Sequence, residues 1–263
     1  MTITSSQNSR IKLARALLSS RKERENNQSY VIEGVRLSEE AHIAGADPQF
    51  ALYSSQLSER GSKIIDALIE KNVEVEEVED GLLNRISDTR TSQGILLVLN
   101  IHNVDPKTDN RSILILDQIS DPGNLGTLLR SAAGFGFSTV IATPGSVDFY
   151  SPKVVRSAMG AHFKCDLLVK EVDEIKDLCK FKNQPSLEII LAESQASQSC
   201  WERDLSTPLG LVIGSEAEGP TDALRSISDG AVSIPMLSGS ESFNAAVSGS
   251  ILMYEVYRQR TIK

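Results

Sequence analysis

Three loops of this 263-residue chain carry polar side chains that could do chemistry, and each follows an apolar run. The first, 117–130, reads Asp-Gln-Ile-Ser-Asp-Pro-Gly-Asn-Leu-Gly-Thr-Leu-Leu-Arg. Pro122 and Gly123 make a turn, and Asn124 stands where a helix N-cap is wanted. At about 100° per residue, Leu125, Leu128, Leu129, Ala132 and Ala133 form one apolar stripe. Arg130 lies off that stripe, so packing does not require it; it either faces solvent or reaches a ligand cleft. The second loop, 214–220, is Gly-Ser-Glu-Ala-Glu-Gly-Pro. A strand-to-helix turn explains its glycines. It does not explain Glu216, whose carboxylate could orient a cationic ligand or hold an arginine. In the third loop, 234–247, Ser242 and Asn244 are both candidate caps of a final helix. Capping accounts for one of them better than for both.

Other chemistries lack their motifs. Gly134-Phe-Gly136 follows a helix rather than a strand, and Thr139 replaces the third glycine of a dinucleotide fingerprint. There is no phosphate-binding GxxxxGK[ST] loop, and no GxSxG elbow in the context a hydrolase needs. Cys165, Cys179 and Cys200 are odd in number and lack CxxC spacing, which argues against a disulfide framework and a zinc site. His42, His102 and His162 are scattered, so no metal is expected.

The elements that must position the three loops alternate regularly from residue 112 onward. Strands are expected at 113–117, 139–142, 167–169, 187–192, 209–213 and 231–235. Helices are expected at 125–133, 153–158, 174–181, 221–227 and 243–260. Continuous apolar strands separated by helices imply a mostly parallel sheet covered on both faces. Ligands then sit beyond the carboxyl ends of strands, where the three loops are. In the last helix Val247, Ile251, Met253 and Tyr254 should pack on the sheet or on a partner subunit. The first third also mixes elements: helices at 11–18, 35–44 and 62–71, strands at 30–32, 50–53 and 94–99. That pattern suggests a compact α/β layer unit. The polar stretch 101–111, with Asp105-Pro106, reads as a linker. It separates an N-terminal domain, 1–103, from a C-terminal domain, 112–263.

Composition bounds the partners. With 40% hydrophobic and 24% charged residues the chain can build a real core. No apolar run is long enough to cross a bilayer, and residues 1–10 lack a secretory signal, so a cytoplasmic location without membrane contact is expected. The net charge of −8 counts against nucleic acid, but its distribution does not. Arg10, Lys12, Arg15, Arg21, Lys22 and Arg24 crowd the first segment, while Glu74, Glu76, Glu77, Glu79 and Asp80 hold much of the acidic excess. This is a basic footprint on an acidic body, or equally a solvated helix face.

Taken in order, the motifs resemble the SpoU family of RNA ribose 2'-O-methyltransferases of the SPOUT class. The matching text is 121–130, 214–219, Ile234-Pro-Met236 and Ser242-Phe-Asn244, with 151–160 between them. In the first domain 7–12, Arg21-Lys22 and 30–36 (Tyr-Val-Ile-Glu-Gly-Val-Arg) are similar to the family's substrate-binding domain, which resembles RNA-binding ribosomal proteins. The resemblance implies an α/β fold with a C-terminal trefoil knot and a homodimer formed through the C-terminal domain. It implies S-adenosylmethionine (AdoMet) as methyl donor, held by Gly214, Ile234 and Phe243 with Ala192 and Met236 nearby. It implies methylation of a ribose 2'-hydroxyl, with ribosomal RNA preferred over transfer RNA and an antibiotic-resistance role open. RNA would be bound through Arg10, Lys12, Arg21 and Lys22. Arg130 would be the central catalytic residue, with Asn124, Glu216, Ser242 and Asn244 holding it and the ribose. A free guanidinium is a poor base, so phosphate binding and orientation of the hydroxyl fit Arg130 better than proton abstraction. Phe243 stands where the family usually has leucine, and Ala217 where glycine is common. A non-catalytic RNA-binding assembly protein with the same fold is the rival reading; a methyltransferase acting on a small molecule or a protein is a second.

Overall fold

The computed structural model describes residues 2–87, 92–102, 112–180, 186–237 and 242–261. The chain divides into two compact units. One is Met1–His102 with Tyr150–Phe163; the other is Asn103–Phe149 with Lys164–Lys263. The segment 150–163 thus counts with the first unit, and most of the linker expected at 101–111 lies outside the described residues.

The first unit holds α1 (Ser9–Ser19), α2 (Arg21–Asn27), β1 (Ser29–Glu33), α3 (Val35–Ile43), β2 (Pro48–Tyr53), α4 (Glu59–Glu70), β3 (Glu74–Glu77), α5 (Asp80–Ile86) and β4 (Ile95–Asn100). Its sheet runs β1-β4-β2-β3, antiparallel except for the β2–β3 pair. The helix α1 forms because Ile11, Ala14 and Leu17 recur at helical spacing and Asn8 caps it, accepting from the Arg10 amide at 2.8 Å. Three elements escaped the sequence reading: α2, β3 and α5. The strand β3 is Glu-Val-Glu-Glu, which carries no apolar run. It is held by backbone pairing to β2 and by Arg10, which pairs with Glu74, and with Glu76 at 2.8 Å. The guanidinium also lies over the Phe50 ring, 5.4 Å from its centre. Basic and acidic clusters that look separate in sequence therefore meet.

The second unit is built on β5 (Ser112–Leu116), α6 (Pro122–Phe135), β6 (Thr139–Ala142), β7 (Asp166–Val169), α8 (Val172–Leu178), β8 (Glu188–Ala192), β9 (Leu209–Ile213), α9 (Asp222–Ile227), β10 (Gly230–Val232) and α10 (Ala245–Thr261); the intervening α7 (Pro152–Ala158) belongs to the first. Six strands in the order β10-β8-β9-β5-β6-β7 pair in parallel throughout. The α/β class and parallel sheet are as the apolar strands implied; all five residues of β5 and of β9 are buried. The chain runs outward from β5 to β7, crosses to β8, and inserts β9 between β8 and β5. Strand direction of travel reverses beside β5, where ligands bind in such sheets.

Among the boundaries that differ from the sequence reading, two bear on the loops. The helix α6 begins at Pro122, with Asp121 as its cap: the Asn124 amide donates to Asp121 Oδ1 at 2.8 Å. Asn124 is thus inside the first turn, and its side chain is left for other work. The helix α10 begins at Ala245, where Asn244 Oδ1 accepts from the amides of Ala246 (2.9 Å) and Val247 (3.3 Å). Asn244 caps, and Ser242 does not.

The helix α10 packs closely on α6. A β-carbon at Gly249 would run into Leu128, and the Ser131 and Ser250 hydroxyls sit 2.7 Å apart. Leu252, Met253 and Val256 are buried, but Val247 and Tyr254 are not, so the sheet is not what they pack on. Near its end, buried Glu255 accepts from Arg258 at 2.7 and 2.8 Å and from Gln259 at 2.8 Å. Arg258 holds this carboxyl below the usual carboxylate range. Its contribution to stability is therefore present above the ordinary carboxylate pKa and is lost as pH falls through the lowered folded-state value. Glu255→Ala is expected to cost about 2 kcal/mol near neutrality. In urea titrations the difference from wild type should vanish in acid.

Candidate active site

A cavity of about 400 Å³ opens in the second unit at the ends of β8, β9 and β10. Ala192 closes β8 and Ile213 closes β9; Gly214, Ile234, Met236 and Phe243 add to the apolar part of its wall, with Val232 and Leu252. All five residues assigned to the cofactor from sequence thus line one cavity. Backbone folding explains Gly214: a β-carbon there would run into the backbone of Gly219 and Pro220. The loop doubles back on itself, with the Gly219 amide donating to the Ser215 carbonyl at 2.9 Å and Gly219 at φ +68°.

Asp117 fixes the floor of the neighbouring loops. It is buried, accepts from Thr143 Oγ1 at 2.8 Å, and accepts from the Thr221 amide at 2.6 Å. One carboxylate at the end of β5 therefore ties together the segments that follow β6 and β9. The next residue, Gln118, takes a left-handed backbone (φ +54°), a strained conformation of the kind that gathers at functional sites.

At the rim, the three polar residues from three loops form one network. Asn124 Nδ2 donates to Glu216 Oε1 at 2.7 Å. Asn244 Nδ2 donates to the same oxygen and to Asn124 Oδ1 at 3.1 Å. The Ala245 amide adds a 3.4 Å contact to Glu216 Oε1. Among the described residues Glu216 therefore holds two amides and no arginine; the sequence reading allowed it an arginine or a cationic ligand. Ser242 is exposed and lines the cavity mouth beside Phe243. Arg130 is exposed on α6, and no residue among those described pairs with its guanidinium. The structure thus unites Asn124, Glu216 and Asn244, and leaves Arg130 and Ser242 without side-chain partners among the described residues.

The sequence reading missed several cavity residues, Glu193 and Arg225 among them. Glu193 follows Ala192, and its carboxylate pairs with Arg225, whose Nε donates to the Pro220 carbonyl at 3.0 Å. The strand-end rule reaches the position of Glu193 only when it is applied to the end of β8 as well; its partner 32 residues later has no local signal. The cavity wall is acidic on balance: Glu193, Glu216 and Glu218 against Arg225. Apolar walls, close backbone and excess carboxylate suit a flat ring attached to a cationic centre. An AdoMet-type ligand fits that donor set.

The basic residues of the first unit divide. Arg10 is committed to Glu74 and Glu76. Arg24 is buried and donates to the Leu17 carbonyl, and Arg21 pairs with Glu25 at 2.7 Å. Lys12, Arg15 and Lys22 are exposed, and no described residue pairs with them.

Comparison with known proteins follows the same division. Residues 111–254 match the SpoU rRNA Methylase family, and residues 8–97 match an MRM3-like substrate binding domain. A 23S rRNA (guanosine(2553)-2'-O)-methyltransferase of Bacillus subtilis, RlmP, is 27% identical over 91% of this chain and 92% of its own. The crystal structure of the SpoU methyltransferase AviRb from Streptomyces viridochromogenes in complex with AdoMet superposes with a TM-score of 0.86. It is 27% identical and covers 96% of this chain and 99% of its own. An RNA 2'-O ribose methyltransferase structure, 32% identical, gives 0.80 with both chains fully covered. Fold, cavity and relatives define the class: an RNA methyltransferase. Within it, the chain belongs to the SpoU rRNA methylase family.

Proposed function

We propose that this enzyme transfers the methyl group of AdoMet to a ribose 2'-hydroxyl of ribosomal RNA. The observation that carries the reading is the single cavity formed by Ala192, Gly214, Ile234, Met236 and Phe243, edged by the Asn124–Glu216–Asn244 network. The relatives support the substrate: RlmP is named for a 2'-O position of 23S rRNA. Bound there, AdoMet would supply an electrophilic sulfonium methyl. The chain's own part is orientation. Gly214 and the loop to Gly219 would shape the donor pocket, with Phe243 and Ile234 as its apolar faces. Arg130 would bind a phosphate next to the target ribose and align its hydroxyl. Asn124 and Asn244, held by Glu216, would present the ribose edge. A threaded, trefoil-type C-terminus belongs to the same reading. It is supported by cavity walls contributed both from 214–219 and from Ile234, Met236, Ser242 and Phe243. Titration calorimetry tests the donor: AdoMet should bind the protein alone, and absence of binding would overturn the assignment.

In the first unit, Lys12 and Lys22 are the side chains proposed to meet phosphates, with Arg15. Arg10 serves the fold, so its reversal would read stability rather than affinity. Lys12→Glu with Lys22→Glu is expected to weaken RNA binding about tenfold at physiological salt. AdoMet affinity, measured in the same preparation, should not move.

The homodimer is proposed to form on α10. Val247, Tyr254 and Tyr257 share one face of that helix and are each about half exposed. Phe135 extends the patch, with ring centres 5.7 Å from Tyr254 and 6.0 Å from Tyr257. Contiguous exposed aromatics of this kind mark interfaces. Light scattering should give twice the 28.6 kDa chain mass, and a mass of one chain would contradict the proposal. A cytoplasmic location is part of the same reading; no helix among the described residues is long and apolar enough to cross a membrane.

A further inference from the structure

A second cavity, of about 310 Å³, lies wholly within the first unit and takes no part in the site described above. Its size falls at the lower end of small-ligand sites, about 300–1,000 Å³. Leu37 and Met159 give it apolar sides. Arg36, Glu40, Gln93 and Arg156 give it polar groups. The backbone around it is unusual. Gly34, which starts α3, has φ +100°, and Met159, which ends α7, has φ +48°. Left-handed positions held by the surrounding fold gather at ligand sites. Gln93 Oε1 accepts the Val35 amide at 2.9 Å, which fixes the side chain and leaves its NH2 group for another acceptor. Arg36 Nε donates to Glu40 at 3.2 Å, so the guanidinium is oriented while two-thirds of the side chain stays exposed.

We infer that this cavity takes one unpaired nucleotide of the RNA substrate, its base inserted between Leu37 and Met159. The inference rests on the proposed RNA reading and adds a second anchoring point to it, separate from the methyl-transfer site. Proteins read RNA sequence mainly through splayed-out bases, which stack on flat or apolar groups and hydrogen-bond along their edges. Each requirement has a residue here. Leu37 and Met159 cover the faces of a base. The Gln93 amide donates to a ring acceptor or carbonyl, and Glu40 accepts from an exocyclic amine. Arg36 and Arg156 are guanidinium groups that bind a phosphate or stack on a base plane. Charge favours a nucleotide over a polyanionic pocket-filler: two arginines face Glu33 and Glu40, which leaves the lining neutral. None of these residues lies in the basic cluster of α1 and α2, so the two contributions can be separated by substitution.

The test is affinity for an in vitro transcribed 23S rRNA fragment, measured by filter binding on the full chain. Met159→Trp fills the cavity mouth without changing charge, at a position already part-exposed. Arg36→Gln removes the guanidinium and keeps a polar side chain. Each is expected to weaken RNA binding about tenfold, within the range for loss of one base contact. AdoMet affinity and the thermal unfolding profile should stay as in wild type. Lys12→Glu serves as the reference. If Lys12→Glu weakens RNA binding while both cavity variants bind as wild type, the nucleotide site is wrong and the RNA reading stands. If wild type itself binds no RNA, both fall. Tight binding of an acidic peptide or free metabolite in the cavity, with RNA affinity unchanged in both variants, would also overturn the site.

Discussion

Arg130→Ala is expected to lower kcat for RNA methylation by about a thousandfold while AdoMet affinity stays within twofold. The magnitude is that of removing one preorganised cation or donor from the place where charge develops. Two observations motivate it. Arg130 lies off the buried stripe of Leu125, Leu128, Leu129 and Ala132, so its loss should cost little stability. It is also exposed, and no described residue pairs with it, which leaves the guanidinium for substrate. Arg130→Lys separates the two roles an arginine could have. A lysine keeps the charge but loses the planar fork that grips a phosphate. It is also a far better base near neutrality than a guanidinium. Partial rescue with an unchanged pH–rate profile is the expected result. A profile that shifts with the lysine would mean that the side chain removes the proton itself. A rate within a few fold of wild type in Arg130→Ala would end its assignment.

Glu216→Ala is the second large effect, expected at about a hundredfold in kcat/KM, the scale of misplacing a reacting group by about an ångström. Glu216 Oε1 holds the side-chain amides of Asn124 and Asn244, which come from loops otherwise far apart in the chain. Without it the two side chains keep only their 3.1 Å contact with each other and the Asn244 cap, and Asn124 loses the acceptor for its NH2 group. Glu216→Gln keeps an oxygen in place and should recover most of the loss, because the network needs an acceptor more than a charge. Equal defects in Ala and Gln would show instead that the negative charge acts directly on the bound ligand. Steady-state kinetics with RNA varied and AdoMet saturating distinguishes the two.

Much of the second unit was legible because its strands are continuous apolar runs and its loops sit at their ends. The strands at 139–142 and 209–213 fall where the pattern put them. The five cavity residues were reached through a family resemblance, not through periodicity, since backbone-lined pockets leave few side-chain signals. Partners within the site were less legible. Asn124 has the side chain of a cap, but Asp121 three residues earlier takes that place. That shift is what frees the Asn124 amide for Glu216. Glu216 was placed in the turn with a cationic ligand or an arginine as its partner; the two amides it accepts from were not legible, since a carboxylate's choice among amides and guanidinium groups depends on tertiary distances. The strand β3 was missed for a plain reason: Glu74–Glu77 has the wrong composition for a strand, and it is rescued by Arg10 from 64 residues away. The same pair changes the reading of the basic cluster. Six cations in a row suggested a phosphate-binding face, yet Arg10 and Arg24 work inside the fold.

The most direct test of the central claim is the identity of the methylated product. The protein would be incubated with methyl-labelled AdoMet and unmodified ribosomal or transfer RNA, and the RNA digested to nucleosides. The proposed function predicts label in a 2'-O-methylated nucleoside, from ribosomal RNA and not transfer RNA, and none with Arg130→Ala. Label on a base, or on transfer RNA alone, would contradict it.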